Sequence, residues 1–185
     1  DDLVLQPFDD YRRVWVEISS ASHGHGGAGW EFGTCLWSPA KARGGNDSYA
    51  IMRNPAPGDL VLHLYEDTWD GSHSERRLCG SSIVQTGYKE IFQTPPSPGK
   101  WDGMQPYLRI DLENYTAFED PVSFATLKTH YVDEIIVEML DGRPRYYPFA
   151  TYGSTIRTVQ GSYLTRCTSR LYDLFVSALG IETAA

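Results

Sequence analysis

Pro55-Ala56-Pro57-Gly58-Asp59-Leu60-Val61-Leu62-His63-Leu64-Tyr65 is the stretch on which the fold turns. Two prolines with their φ fixed, followed by Gly58-Asp59, are a turn signal, and the strand Leu60 to Tyr65 follows it. From Leu60 onward successive side chains point to opposite faces of an extended strand. Leu60, Leu62 and Leu64 share one face, and Val61, His63 and Tyr65 share the other.

Toward the N-terminus, Val14, Val16 and Ile18 alternate with Trp15 and Glu17, the pattern of a half-buried strand. Residues 19–29 (SSASHGHGGAG) form a polar, glycine-rich loop. Residues 30–37 return to aromatic and apolar side chains and end at Ser38-Pro39. Proline cannot donate to a ladder, so Trp37 is expected at a strand end. Residues 41–48 read as a second polar loop.

Toward the C-terminus, residues 66–75 read as a polar hairpin connection containing Trp69, as a lid or a contact surface. Residues 77–86 come back as a strand in which Gly80 permits a bulge or a close backbone approach. The stiff run Thr94-Pro95-Pro96-Ser97-Pro98-Gly99 delivers Trp101, and residues 107–112 form a further strand. Phe124, Leu127, Tyr131 and Ile135 recur at helical spacing across residues 123–140. Leu164, Cys167, Leu171, Leu174, Phe175 and Ala178 make one apolar stripe, stopped by Gly180. Strands first, then helices packed over them, define an α+β fold around a curled mixed sheet. No internal repeat or linker divides it, so one domain spans residues 1–185, with a core at about 14–179. The opening Asp1-Asp2-Leu3 lacks Met, and a piece excised from a longer protein is expected.

Cys35, Cys79 and Cys167 are odd in number and not closely paired, which argues for a reducing, cytoplasmic setting rather than a disulfide framework. No apolar run reaches membrane length. His23 and His25 lack a partner ligand in the sequence, so no metal or cofactor is expected. The net charge of −8 speaks against nonspecific DNA coating. The C-terminal part is nevertheless basic: Arg143, Arg145, Arg157, Arg166 and Arg170 face only Asp173 and Glu182. That stretch fits either a local phosphate contact or an ordinary solvated surface.

The sequence lacks Gly-x-Ser-x-Gly and a phosphate-cradling loop ending in Gly-Lys-Ser/Thr. Glu66-Asp67 and Asp133-Glu134 are sequence neighbours whose side chains diverge. Cys35 sits inside a strand, as buried free cysteines do. The unusual feature is tryptophan beside loops: each must pack on the core or await a planar partner. Trp15 and Trp30 fit the core.

Two runs resemble the start of EVE and YTH domains of the PUA-like group: Val16-Glu17-Ile18-Ser19-Ser20-Ala21-Ser22-His23 and Gly33-Thr34-Cys35-Leu36-Trp37-Ser38-Pro39. The strand after Pro57-Gly58-Asp59, the run Cys79-Gly80-Ser81-Ser82-Ile83-Val84, Trp101 with Tyr107-Leu108-Arg109-Ile110-Asp111, Tyr147-Pro148-Phe149, and residues 159–164 follow in the matching order. The resemblance covers most of residues 14–179. It implies a PUA-like sheet or barrel flanked by helices, with Trp37 and Trp101 as parallel walls of a slot for one base.

A base lifted from its stack regains stacking between aromatic planes, and its polar edge needs fixed partners. Ser38, Ser20, Ser22 and His23 are the candidates for that edge, Ser38 being equally a turn-capping hydroxyl. Met104 fits a third wall or a filler. Lys41, Arg43, Arg143, Arg145 and Arg157 are the candidate phosphate contacts. YTH readers of methylated RNA carry Lys and Asn on the loop that here holds Ser, Ser and His.

The resemblance therefore implies a non-catalytic reader of double-stranded DNA bearing a modified cytosine. In that reading it is the specificity module of a restriction or defence protein whose nuclease or NTPase lies elsewhere. The alternatives are a PUA-like module for RNA or N6-methyladenine, a small nucleoside hydrolase, and a protein-interaction domain. Lys128-Thr129-His130 lacks the Lys-Thr-Glu pattern of the hydrolase.

Overall fold

The computed structural model describes residues 5–21, 26–68 and 74–184. Among these residues seven strands form the main sheet: β1 (Val14–Ser20), β2 (Cys35–Pro39), β3 (Leu60–Thr68), β4 (Ser74–Val84), β5 (Lys89–Ile91), β6 (Tyr107–Ser123) and β9 (Leu164–Arg166). Between β6 and β9 lie α1 (Phe124–His130), α2 (Val132–Leu140) and the hairpin of β7 (Phe149–Tyr152) with β8 (Thr155–Thr158); α3 (Ser169–Leu179) closes the described chain. The strand order is β2-β6-β4-β3-β1-β9, with β5 on β6. Only the β1/β3 pair is parallel among the described ladders.

The sheet curls into a half-barrel because β6 changes partner along its length. Residues Tyr107 to Asp111 pair with β2, whereas Leu112 to Ser123 pair with β4. Gly80 sits at a register shift in that second ladder. A Cβ there would lie 2.7 Å from the Thr116 carbonyl oxygen and 2.7 Å from the Tyr115 hydroxyl, so the two strands approach this closely only over glycine.

The curled sheet separates two apolar cores, which explains the alternation in the opening stretch. Leu60, Leu62 and Leu64 join Val14, Val16 and Ile18 against Leu127, Ile135, Leu171 and Phe175 of the helices. Val61 and Trp15 face the other way, into a core with Leu36, Ile51, Met52, Tyr107 and Ile110. Asp59 locks the preceding turn to β1. Fully buried, its carboxylate accepts from Trp15 Nε1 at 2.9 Å, Ala56 N at 3.0 Å, and Arg12 at 2.9 and 2.6 Å.

Several elements depart from the sequence expectation. Trp37 lies in the middle of β2, and Pro39 ends the strand; β2 is a sheet edge, where a missing donor is tolerated. β6 runs on to Ser123, far past residue 112. The expected helix over 123–140 is two helices, split at Tyr131, the first capped by Ser123 Oγ accepting from Thr126 N. Leu164 and Cys167 precede the last helix rather than starting it. Leu164 to Arg166 pair with β1, and long-range pairing overrides helical spacing. Thr168 then caps α3, and Gly180 ends it in the left-handed region at φ 67°. Among the described residues no helix is long and apolar enough to cross a membrane.

Candidate nucleic-acid interface

A cleft of about 140 Å³ opens where the ends of β1 and β3 meet the loop over residues 158–163. Among the described residues seven aromatic side chains line it: Trp30, Phe32, Trp37, Tyr49, Tyr65, Trp101 and Tyr163. Trp37 projects from β2. Trp101 ends a one-turn 3-10 helix (Gly99–Trp101) after the proline run, and its carbonyl accepts the Tyr107 hydroxyl at 2.5 Å. Gly26 bridges to Ser97, and a Cβ on it would meet Trp30 Cβ at 2.5 Å and Trp37 Nε1 at 3.2 Å.

The two expected pocket tryptophans do meet here, but they are not parallel. Their ring centroids lie 5.0 Å apart with planes at 84°, so nothing fits between them. Both are buried, at 5% and 7% exposure, and belong to the core while their remaining surface forms the back of the cleft. The indoles make a corner rather than a slot. Trp101 also meets Tyr163 edge-to-face at 5.4 Å, and Trp37 meets Trp30 at 5.6 Å. Nearer β3, Phe32 stacks on Tyr65 at 4.3 Å and 28°.

The other expected contacts divide. Ser20 lines the cleft. Ser38 does not: it is fully buried, and its hydroxyl donates to the Pro39 carbonyl at 2.9 Å. Met104 lies in a separate groove, lined also by Lys41, Arg43 and Arg53. Ser22, His23 and Trp69 fall outside the described residues.

Lys41 and Arg43 are exposed, and Arg43 donates to the carbonyl of Lys100 at 2.9 Å. Lys100 itself lines the aromatic cleft, so the cationic groove and the cleft adjoin. Arg143 and Arg145, on the connection from α2 to β7, and Arg157, on β8, are exposed and line neither. Arg145 lies over the Tyr146 ring and Arg157 over the Tyr152 ring.

The polar part of the cleft escaped the sequence reading. Glu17, alternating with Val16 and Ile18, looks like a solvent-facing residue, yet it is 3% exposed and lines the cleft. One carboxylate oxygen lies 2.6 Å from His63 Nδ1, and the other accepts the Tyr163 hydroxyl. His63 Nε2 lies 2.7 Å from Ser82 Oγ, and Tyr163 receives the Trp37 backbone N–H at 3.2 Å. Burial, then the adjacent Glu17 charge, pushes the Tyr163 phenol well above its ordinary pKa, so it remains a donor. Ser19 Oγ is buried in the same cleft with no hydrogen-bond partner among the described residues. A polar residue inside an apolar strand, opposite a histidine in the neighbouring strand, is the signal that could have found this set.

Ser82, His63 and Glu17 reproduce the order of a Ser-His-acid set. Ser82 is 1% exposed, however, and neither it nor His63 lines the cleft, so the hydroxyl has no path to a substrate there. The Cys35 thiol in the cleft wall is pushed up to about 11 by burial, and at neutral pH it is an apolar, unreactive surface.

A curled mixed sheet of this order, with three helices packed on one face, is the PUA-like fold of EVE type. The same architecture is present in human THYN1, solved in complex with DNA containing 5-methylcytosine: TM-score 0.56, 14% identity, 92% of this chain and 99% of that one. A protein from Pseudomonas putida matches at TM-score 0.51 and 12% identity over 90% and 99% of the two chains. The N-terminal domain of Staphylothermus marinus McrB aligns at 0.49 and 14% identity over 96% and 99%. Neither a protein-family model nor a curated protein sequence matches the chain.

Proposed function

We propose that the chain is a non-catalytic reader of modified DNA that takes one flipped-out base, 5-methylcytosine or a related modified cytosine, into the aromatic cleft. The observation that carries this reading is the cleft itself, about 140 Å³ in volume and lined, among the described residues, by seven rings and a buried carboxylate. A cavity of about 150 Å³ holds one benzene-sized ring, so a single pyrimidine matches the space. An unstacked base recovers stacking on aromatic side chains, and a buried methyl adds roughly 1 kcal/mol against apolar walls.

In this reading Trp37 and Trp101 contact the base as a corner, one through its face and the other through its edge. Ser20 faces the base edge, and Ser22 and His23 are the further candidates for contacting it. Lys41 and Arg43, in the groove next to Lys100, hold phosphates beside the flipped nucleotide, and Arg143, Arg145 and Arg157 hold more distant ones. The fold shared with THYN1, which was solved on methylated DNA, supports the ligand class. As part of a larger restriction or defence assembly, the chain would supply specificity and leave cleavage to a nuclease or NTPase.

The test is a binding panel at fixed salt. It uses duplexes carrying 5-methylcytosine, 5-hydroxymethylcytosine, N6-methyladenine or no mark, together with the matching RNAs. Preference for a modified cytosine in DNA supports the reading. Equal affinity for all duplexes, or preference for RNA, refutes it.

A further inference from the structure

We propose that Glu17 reads the base, accepting a hydrogen bond from an exocyclic amine, so that the cleft selects cytosine-type pyrimidines over thymine and uracil. This rests on the reading of the cleft as a base pocket. Among the described residues Glu17 is the only carboxylate lining it. A carboxylate this deeply buried is costly unless held by hydrogen bonds. Here both oxygens are held, by His63 and by Tyr163, which are in turn held by Ser82 and by the Trp37 backbone.

That backing fixes the direction of the group. Tyr163 accepts the Trp37 N–H, so its own proton goes to Glu17, and that carboxylate oxygen acts as an acceptor. Each carboxylate oxygen carries two lone-pair sites, and one hydrogen bond apiece leaves capacity toward the cleft. A cytosine amine fills it, as Glu and Asp do when they accept from cytosine N4 elsewhere. The carbonyl at the same position of thymine or uracil would set oxygen against carboxylate. Sites built around a polar group reject the analogue that lacks its partner. Adenine also carries an amine, but the volume suits one ring. Ser19 Oγ, buried here without a partner among the described residues, is available to the rest of the base edge.

The test compares duplexes identical except at one position opposite guanine, carrying either 5-methylcytosine or thymine. The two bases share the methyl group and differ in amine against carbonyl. A thymine–guanine mismatch flips more easily, so the comparison is biased against the proposal. Wild-type chain is expected to prefer 5-methylcytosine by about ten- to a hundredfold. Glu17→Gln, whose amide can turn its N–H toward a carbonyl, is expected to lose most of that ratio. Tyr163→Phe, which removes one donor to Glu17 and with it the acceptor of the Trp37 N–H, is expected to lower it partway.

A folded Glu17→Gln with an unchanged ratio overturns the proposal. Should that variant fail to fold, a wild-type ratio near one, or an unaltered ratio in Tyr163→Phe, overturns it equally. Failure of the underlying reading is distinguishable: wild-type chain would then bind methylated and unmethylated duplexes alike.

Discussion

The indoles of Trp37 and Trp101 stand at right angles, 84° between planes and 5.0 Å between centroids, so each braces the other while exposing one surface to the same cleft. Edge-to-face pairs of this kind contribute about 0.5–1.5 kcal/mol beyond area burial. Because Trp37 also packs on Trp30 and Tyr107, truncation removes core as well as cleft. Trp37→Ala is expected to cost about 3–5 kcal/mol in chemical denaturation. Trp101→Phe is the milder probe: the fold persists, and affinity for a flipped base falls whether or not it is modified. An unchanged affinity would remove Trp101 from the site.

Asp59 separates stability from recognition. Asp59→Ala leaves Trp15 Nε1 and the Ala56 N–H without their partner and Arg12 without its carboxylate. A loss on the order of 3 kcal/mol is expected from denaturant titration. Asp59 does not line the cleft, so the base preference of the folded fraction is expected to remain.

Acid should loosen the loop that carries Trp30. Burial acts to raise the Asp111 pKa, but hydrogen bonds and charge from Arg109 and Lys89 outweigh it and hold the carboxyl below its ordinary value. A carboxyl depressed on folding contributes stability that is present above its unfolded value, about 3.9, and lost as pH falls through the folded one. Arg109, held by Asp111 at 2.8 Å, donates to the Gly29 carbonyl at 2.7 Å and lies 4.6 Å from the Trp30 ring centre. Melting temperature is expected to fall below about pH 4, and Asp111→Asn should remove that part of the pH dependence. Superimposable wild-type and variant profiles would contradict this.

The cationic groove makes its own claim on salt dependence. Each phosphate contact contributes a slope of about −0.9 in log affinity against log salt for duplex DNA. Replacing Lys41 and Arg43 with Ala together is expected to flatten the slope by roughly 1.8 if each holds one phosphate. An unaltered slope would move the phosphate contacts elsewhere, with Arg143, Arg145 and Arg157 the next to replace.

What the sequence displayed, and what it concealed, follow from range. The turn at Pro57-Gly58-Asp59 and the two-faced strand after it are local, and the two cores they separate match that alternation. The order of short motifs put Trp37 and Trp101 at one site with a base between them, but their direct contact and its angle were not legible, since both are set by packing against Trp30, Tyr49, Tyr107 and Tyr163. Glu17 was concealed because alternation in a strand assigns its side chain to solvent. Only a sheet buried on both faces, and a tyrosine 146 residues away, make it an interior group. The second half of β6 sets Glu113, Asn114, Glu119, Asp120 and Pro121 among scattered apolar residues, so only its pairing with β4 reveals it as strand.

The most direct test of the central claim is whether the DNA base leaves its stack for the cleft. With 2-aminopurine placed beside a single 5-methylcytosine in a duplex, fluorescence reports unstacking as protein is added. A rise with the methylated duplex, absent with the unmethylated one and diminished in Trp101→Phe, is the result predicted. Tight binding to the methylated duplex with no rise would contradict the account, because the mark would then be read without a flipped base.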